Sequence, residues 1–240
     1  MRRAPLALLL MSLAGPALAA QPAKGKPDGR KSVCVVSAIG EAFQLKKIGI
    51  MVFGNDEKSV PIRDWKIDER VSATAARLLQ KNFQVRRSAL PAAGYRSMYE
   101  GSGRDYRDAI GDSLRKIAGN PPCDFYLLVV PGGSQVGSSN QFVAGLGVVQ
   151  HAGITGYFRR LYALSTILVY DGKSFSLLRE DRLLAIESFL SVIHGPHQDL
   201  GMQETDNLEP VMSDPKIREA AWSLLEADLA KRLPRVLAAN

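Results

Sequence analysis

The chain has 240 residues, 46% of them hydrophobic, with 31 basic and 24 acidic side chains and a formal net charge of +7. That length and apolar content suffice to bury a sizeable core. The basic residues are scattered as Lys46-Lys47, Arg86-Arg87, Arg159-Arg160 and Lys231-Arg232, without the aromatic platform on which single-strand binders stack bases, so they read as solvated faces and nucleic acid is excluded as a partner.

In chain order, Arg2-Arg3, the apolar run Ala7–Leu13 and the small-residue stretch Ala17-Leu18-Ala19-Ala20 have the arrangement of a cleavable signal peptide over residues 1–20. Gly15-Pro16 interrupts the run too early for a spanning helix, which needs about 20 apolar residues. Leu13-Ala14-Gly15 resembles the start of a lipoprotein box, but Pro16 stands where the lipid-bearing cysteine belongs. The expectation is a periplasmic or secreted protein without a lipid anchor. Residues 21–31 have no apolar periodicity and read as a disordered lead-in, and residues 32–240 read as a single α/β domain.

Val33 to Ile39 and Phe43 to Phe53 are β-rich runs about a Gly40-Glu41 turn and are expected to pair as a hairpin, with Cys34 opposite Lys47 or Ile48. From Trp65 to Lys81, Ile67, Val71, Ala75 and Leu78 recur at helical spacing, with Asp64 or Asp68 available as the cap. Phe83 to Arg86 alternates as a short strand. Tyr106, Ile110, Leu114 and Ile117 form a second helical stripe closed by Gly119-Asn120-Pro121-Pro122. Asp124 to Val130 is a continuous apolar run, as in a strand buried on both faces. The order β-α-β-α-β predicts an α/β fold with a parallel core.

Beyond Pro131 the pattern changes. A glycine-rich stretch surrounds a strand-like Phe142 to Val149, and Arg160–Tyr170 and Ser174–Ile186 flank the hairpin signal Asp171-Gly172, so the core continues as antiparallel structure. Residues 194–213 read as a polar loop. Asp214-Pro215 opens a last helix with Ile217, Ala221, Leu225, Leu229 and Leu233 on one stripe, expected to pack on the sheet.

Four features imitate chemistry. Gly111-Asp112-Ser113-Leu114 spells the signature of the GDSL hydrolases, whose serine is the nucleophile, but here it falls inside the second helix. Neither His151, His194 nor His197 has the aspartate three residues before it that would complete the set. Gly132-Gly133-Ser134-Gln135-Val136-Gly137-Ser138-Ser139 follows a buried strand like a phosphate-binding loop, yet Ser138 replaces the required lysine and a strand follows, so it reads as a turn. His194 and His197, with Glu187, Asp199 and Glu204 nearby, lie about Gly195-Pro196 and share no helical face that would preorganise a metal site. In the stretch 132–157, Phe142, Ala144, Leu146, Val148 and Ile154 share one parity. It is either an ordinary edge strand or an exposed apolar hairpin, in which case Phe142, Leu146, Val148 and Ile154 are candidates for a partner surface. No catalytic, metal-binding or cofactor-binding residue is therefore assigned.

Cys34 and Cys123 are the only cysteines, and export makes a disulfide between them the expectation, with two buried thiols as the alternative.

The run Lys47-Ile48-Gly49-Ile50-Met51-Val52-Phe53-Gly54-Asn55, a helix ending Arg77-Leu78-Leu79, then Phe83-Gln84-Val85, is similar to the opening of a group of bacterial envelope proteins. The group includes the curli-secretion lipoprotein, the outer-membrane lipoprotein activators of penicillin-binding proteins and the amino-terminal domain of TolB. Cys123 to Val130 resembles their third core strand, and the turn at Asp171-Gly172 resembles the hairpin that follows it. The resemblance spans about residues 45–185 and implies a small α/β sandwich that binds other envelope proteins or oligomerises, with no catalytic residues to carry over. The lipid-bearing cysteine of the lipoprotein members is absent, and the run from Val33 adds a strand before their usual start. The expected function is that of an exported, non-enzymatic envelope protein that binds or helps to assemble a protein partner, either another envelope protein or a second copy of itself, with a membrane surface the less favoured partner. The alternative is a secreted hydrolase using Ser113.

Overall fold

The apolar run after Cys123 lies at the centre of a five-stranded sheet. A computed structural model of the protein describes residues 29–49, 54–88, 94–98, 100, 105–120, 122–137, 139–153, 156–182, 193–201, 205 and 207–238. The signal-peptide segment and most of the lead-in lie outside these residues. Strand β5 (Phe125–Pro131) pairs in parallel with β1 (Ser32–Ser37), which pairs in parallel with β4 (Gln84–Arg87). On its other side β5 pairs antiparallel with β10 (Ser165–Asp171), and β10 with β11 (Leu177–Asp181), giving the order β11-β10-β5-β1-β4. Both faces of β5 are buried, which is why its sequence shows no alternation.

Period-two geometry divides this sheet between two layers. Val33, Val35, Leu127, Val129, Ile167 and Val169 face a core built with α1 (Ile67–Leu79) and α3 (Pro215–Ala238). Cys34, Val36, Tyr126, Leu128, Leu168 and Tyr170 face α2 (Tyr106–Ile117), which inserts Ile110 and Leu114. The mixed α/β core, its antiparallel continuation and the carboxyl-terminal helix on the sheet thus match the sequence reading. Asp105 and Asp214 cap α2 and α3 by accepting from the amides of Arg107 and Lys216, at 2.8 and 2.9 Å.

The expected hairpin from Val33 to Phe53 does not form. Both edges of β1 are occupied by parallel neighbours, and the chain turns at Gly40 into a second sheet. There β2 (Ala42–Ile48) lies between β3 (Asp56–Pro61) and β8 (Leu146–Gly153), in the order β12-β9-β8-β2-β3 with β9 (Gly156–Ala163) and β12 (His197–Asp199). Cys34 is therefore not opposite Lys47 or Ile48; its neighbours across the strands are Arg86 and Tyr126. The first strand of the parallel core is Ser32–Ser37 rather than the segment from Lys47. Residues 50–53 lie outside the described set.

Strand β3 escaped the sequence reading because Asp-Glu-Lys-Ser-Val-Pro is nearly all solvent-exposed, as suits a protected edge. Nor do Asp64 and Asp68 cap α1: its cap is Lys66 in the left-handed region (φ 53°), with no side-chain bond. Asp68 instead reaches back, accepting from the Ser37 hydroxyl and, at 3.1 Å, from the Gly40 amide, and so fixes the turn that separates the two sheets.

The inner face of the second sheet, with Phe43, Leu45, Leu146, Val148, Leu161 and Ala163, closes the core shared with α1 and α3. Its outer face, with Ile48, Val149 and Tyr162, is covered by Val136 and Val143 of the hairpin β6 (Gly133–Gln135) and β7 (Phe142–Ala144), and by Ile193. Three segments change sheet at one point. The Gly132 amide donates to the Leu164 carbonyl (2.9 Å), the Leu164 amide to Gly145 (2.8 Å) and the Gly145 amide to Gly132 (2.9 Å), a closed ring of backbone bonds. A side chain at Gly132 would lie 2.7 Å from the Ser165 backbone, and Gly145 has φ +67°. Hence Phe142–Val149 and Arg160–Tyr170, each read as one strand, are both broken there.

Candidate functional site

The disulfide is present. Cys34 on β1 and Cys123 just before β5 are bonded with Cα atoms 5.7 Å apart. Beside it the Arg86 guanidinium donates to Cys123 Sγ at 3.1 Å. Asp124 accepts from the amide and hydroxyl of Ser32 (2.7 and 2.8 Å) and its own amide donates back to the Ser32 hydroxyl (3.0 Å). These bonds, the backbone one foremost, hold the Asp124 carboxyl below its ordinary value. The amino-terminal ends of β1 and β5 are doubly clamped.

Among the described residues the opposite end of β5 borders a groove. α2 runs back along the sheet with its stripe of Ile110 and Leu114 over the lower part of the face and begins at Tyr106, short of the carboxyl end of β5. Val130 and Leu168 are thereby left as the floor of a groove of about 420 Å³. Tyr95 and Tyr106 form one wall, and Phe142 of the β6–β7 hairpin forms another. This is the position in an α/β sheet, beyond the carboxyl ends of parallel strands, where ligands usually bind. Phe142 is 61% exposed, and its carbonyl is held from beneath by Lys46 Nζ at 2.8 Å.

The charged members of the groove are Glu180 and Arg182, at the end of β11. Glu180 Oε1 accepts from the Tyr106 hydroxyl and from Arg182 Nε, and Oε2 accepts from Arg107 Nε and Nη2 at 3.0 and 2.8 Å. Arg182 Nη2 donates to the Tyr106 oxygen at 2.8 Å. Burial raises the Glu180 carboxyl, but the bonds from Tyr106, Arg182 and Arg107 outweigh it and leave it below the ordinary carboxylate value. Burial, then the bond to Glu180, pushes the Tyr106 hydroxyl above its ordinary value. The carboxylate is held ionised and the phenol held protonated, so neither is poised to exchange a proton near neutral pH.

Of the expected partner-surface residues, Phe142 is on this groove. Leu146 and Val148 are not on a surface at all: both are fully buried in the shared core, a correction with a plain cause. The chain changes sheet at the left-handed Gly145: in β7 Val143 is buried while Phe142 and Ala144 are exposed, whereas β8 is buried on both faces, with Leu146 and Val148 in the shared core and Val149 beneath the hairpin. Ile154 lies outside the described residues.

Each residue of the GDSL-like block has a structural partner. The position of Gly111 faces the Phe175 carbonyl, Asp112 pairs with Arg115 at 2.8 Å, the Ser113 hydroxyl donates to the Met98 carbonyl at 2.9 Å, and Leu114 is in the core. The phosphate-loop lookalike is the hairpin β6–β7; Ser138 is outside the described residues. His197 Nδ1 lies 2.8 Å from the Gly195 carbonyl. Tyr95, Glu180 and Arg182 carried no sequence signal, because no spacing links them, and Tyr106 was legible only as part of a helical stripe.

No protein-family model matches this chain, and no curated protein matches it in sequence. Among solved structures it is similar to lipoprotein GNA1162 from Neisseria meningitidis, at 14% identity over 76% of this chain and 93% of that one, with a TM-score of 0.26. It is also similar to a neuraminyllactose-binding hemagglutinin homolog from Helicobacter pylori, at 11% identity over 88% of this chain and 91% of that one, with a TM-score of 0.31. Nothing about activity is carried over from either. Among the described residues no helix is long and apolar enough to cross a membrane.

Proposed function

We propose that this is an exported, disulfide-bonded protein of the bacterial envelope that works by binding a protein partner through the groove beside Phe142. The observation that carries the reading is the pairing of an exposed aromatic wall with a carboxylate whose bonds are already satisfied by its neighbours. Phe142 presents apolar surface to solvent, while Glu180, Tyr106 and Arg107 are bonded to one another. Tyrosine, phenylalanine and arginine about an apolar floor form the composition that anchors protein interfaces, where charge is scarce at the centre. The disulfide supports export, since such bonds persist in oxidising compartments, and the signal-peptide pattern of residues 1–20 agrees with it. The hydrolase reading loses its nucleophile to the Met98 carbonyl.

The test is site-specific photocrosslinking in cells that make the protein naturally. A photoreactive benzoylphenylalanine at position 142 is expected to give a discrete protein adduct that is absent when the same group replaces Lys81, an exposed residue beyond α1. Identical adducts at both positions, or none at 142, would refute partner binding at this groove.

A further inference from the structure

We infer that the occupant of the groove is a peptide segment carrying an apolar or aromatic side chain close to a carboxylate, a deepening that rests on the binding reading above. The groove is one-sided in its hydrogen bonding. Glu180 is the one carboxylate among its described lining residues, and each of its oxygens already accepts two bonds from Tyr106, Arg107 and Arg182. Its carboxylate is thus already engaged and is a poor counter-ion for a basic ligand. Arg182, by contrast, uses Nε on Glu180 and Nη2 on Tyr106, and no contact occupies Nη1 among the described residues. Its side chain is 52% exposed. A planar guanidinium fixed along one edge and free at the other is a ready partner for an incoming carboxylate. Without Arg2 and Arg3 of the signal-peptide segment the basic residues fall from 31 to 29 against 24 acidic ones, and the resulting excess of +5 favours encounter with the same kind of partner.

The apolar requirement comes from the other half of the site. Val130 and Leu168 form the floor, and Tyr106 and Phe142 line it. An apolar side chain there removes the Phe142 ring from water, at about 25 cal/mol for each Å² covered. A small molecule is a poorer fit. Ligand pockets enclose most of their ligand's surface, whereas this groove is open to solvent and a small ligand would leave the Phe142 rim wet. A protein segment brings the surrounding surface needed to cover that rim, as the ring of contacts about an interface anchor does.

A displayed library of random dodecapeptides, selected on the purified disulfide-bonded protein, tests this directly. The expected consensus places an aromatic or aliphatic residue within a few positions of Asp or Glu, and a synthetic peptide of that sequence is expected to bind in fluorescence anisotropy. Phe142→Asp, whose thermal unfolding midpoint should match wild type because residue 142 is exposed, should weaken that peptide at least tenfold. Changing the peptide's acidic residue to its amide should weaken binding about fivefold against wild type and leave it unchanged against Arg182→Gln. That coupling isolates the Arg182–carboxylate contact from general damage to the groove. A basic consensus, no consensus, or equal affinity for wild type and Phe142→Asp overturns the proposal. A protein adduct at position 142 combined with any of those results leaves partner binding standing and removes the acidic-apolar class. An adduct to a second copy of this chain would make the groove a self-association surface and likewise overturn it.

Discussion

Opening the Cys34–Cys123 bond is expected to cost most of the protein's margin of stability without changing its topology. With 89 residues separating the two cysteines, the constraint removed from the unfolded chain is about 15 cal/mol/K, or about 4.6 kcal/mol at room temperature in the chain-entropy model. Stabilities of single domains run from about 5 to about 15 kcal/mol, so the loss is large but survivable. The register between β1 and β5 has a second anchor in the Ser32–Asp124 bonds, which reduction does not touch. A protein in which both cysteines are replaced by alanine should therefore keep the far-ultraviolet circular dichroism of wild type while its urea midpoint falls. At a slope of about 2 kcal/mol per molar urea the fall is about 2 M. Wild type purified without reductant should show no thiol to alkylating agents even when unfolded, and two after reduction. Free thiols in that material, or a midpoint shift below about 0.5 M, would refute the reasoning.

Two further perturbations probe the packing around the groove and the turn between the sheets. Gly111→Ala should destabilise the protein by about 1 to 2 kcal/mol despite the better helix propensity of alanine, since overpacking against backbone outweighs the roughly 1 kcal/mol of propensity; the new methyl would lie 2.2 Å from the Phe175 carbonyl oxygen. A gain in thermal stability would show that the helix and the β10–β11 turn are not in contact there. Asp68 gives a pH signature: burial, opposed by the bonds from Ser37 and Gly40, holds its carboxyl above the ordinary aspartate value. The folded state then binds the proton more tightly than the unfolded chain, so this contribution to stability is present below the unfolded pKa and is lost as pH rises through the folded one. Asp68→Asn, a neutral acceptor for the same donors, should gain relative to wild type between pH 4 and pH 7.5 when thermal unfolding is followed across that range (~3.5 pH units). A variant that loses more at pH 7.5 than at pH 4 would refute the assignment.

The candidate site was barely legible in the sequence. Phe142 was found by its parity in a glycine-rich strand, but the same parity also selected Leu146 and Val148, because alternation carries no mark of the passage at Gly145 from a hairpin with one exposed face into a sheet buried on both. Glu180 and Arg182 fall within the expected strand Ser174–Ile186 with no spacing to mark them, and their bonds to Tyr106 and Arg107 cross more than 70 residues of chain. The GDSL-like block shows the converse, since its letters were clear and each residue answers to a local packing demand.

Much of the local structure was nonetheless readable. The stripes of α1, α2 and α3, the all-apolar β5, the Asp171-Gly172 turn, in which the Asp171 carboxylate accepts from the amides of Lys173 and Ser174, and the cysteine pair all follow from periodicity, capping and composition. Those signals depend on which face of an element is apolar, and that is written in the nearest few residues. Which strand lies beside which is not. β1 and β2 are consecutive and both apolar, yet they enter different sheets because β4 and β5 occupy both edges of β1 while Asp68 fixes the intervening turn. That choice, and the groove it leaves beyond the end of α2, is made by contacts between distant segments competing for the same hydrogen-bonding edges, and it exists only once the whole core has closed.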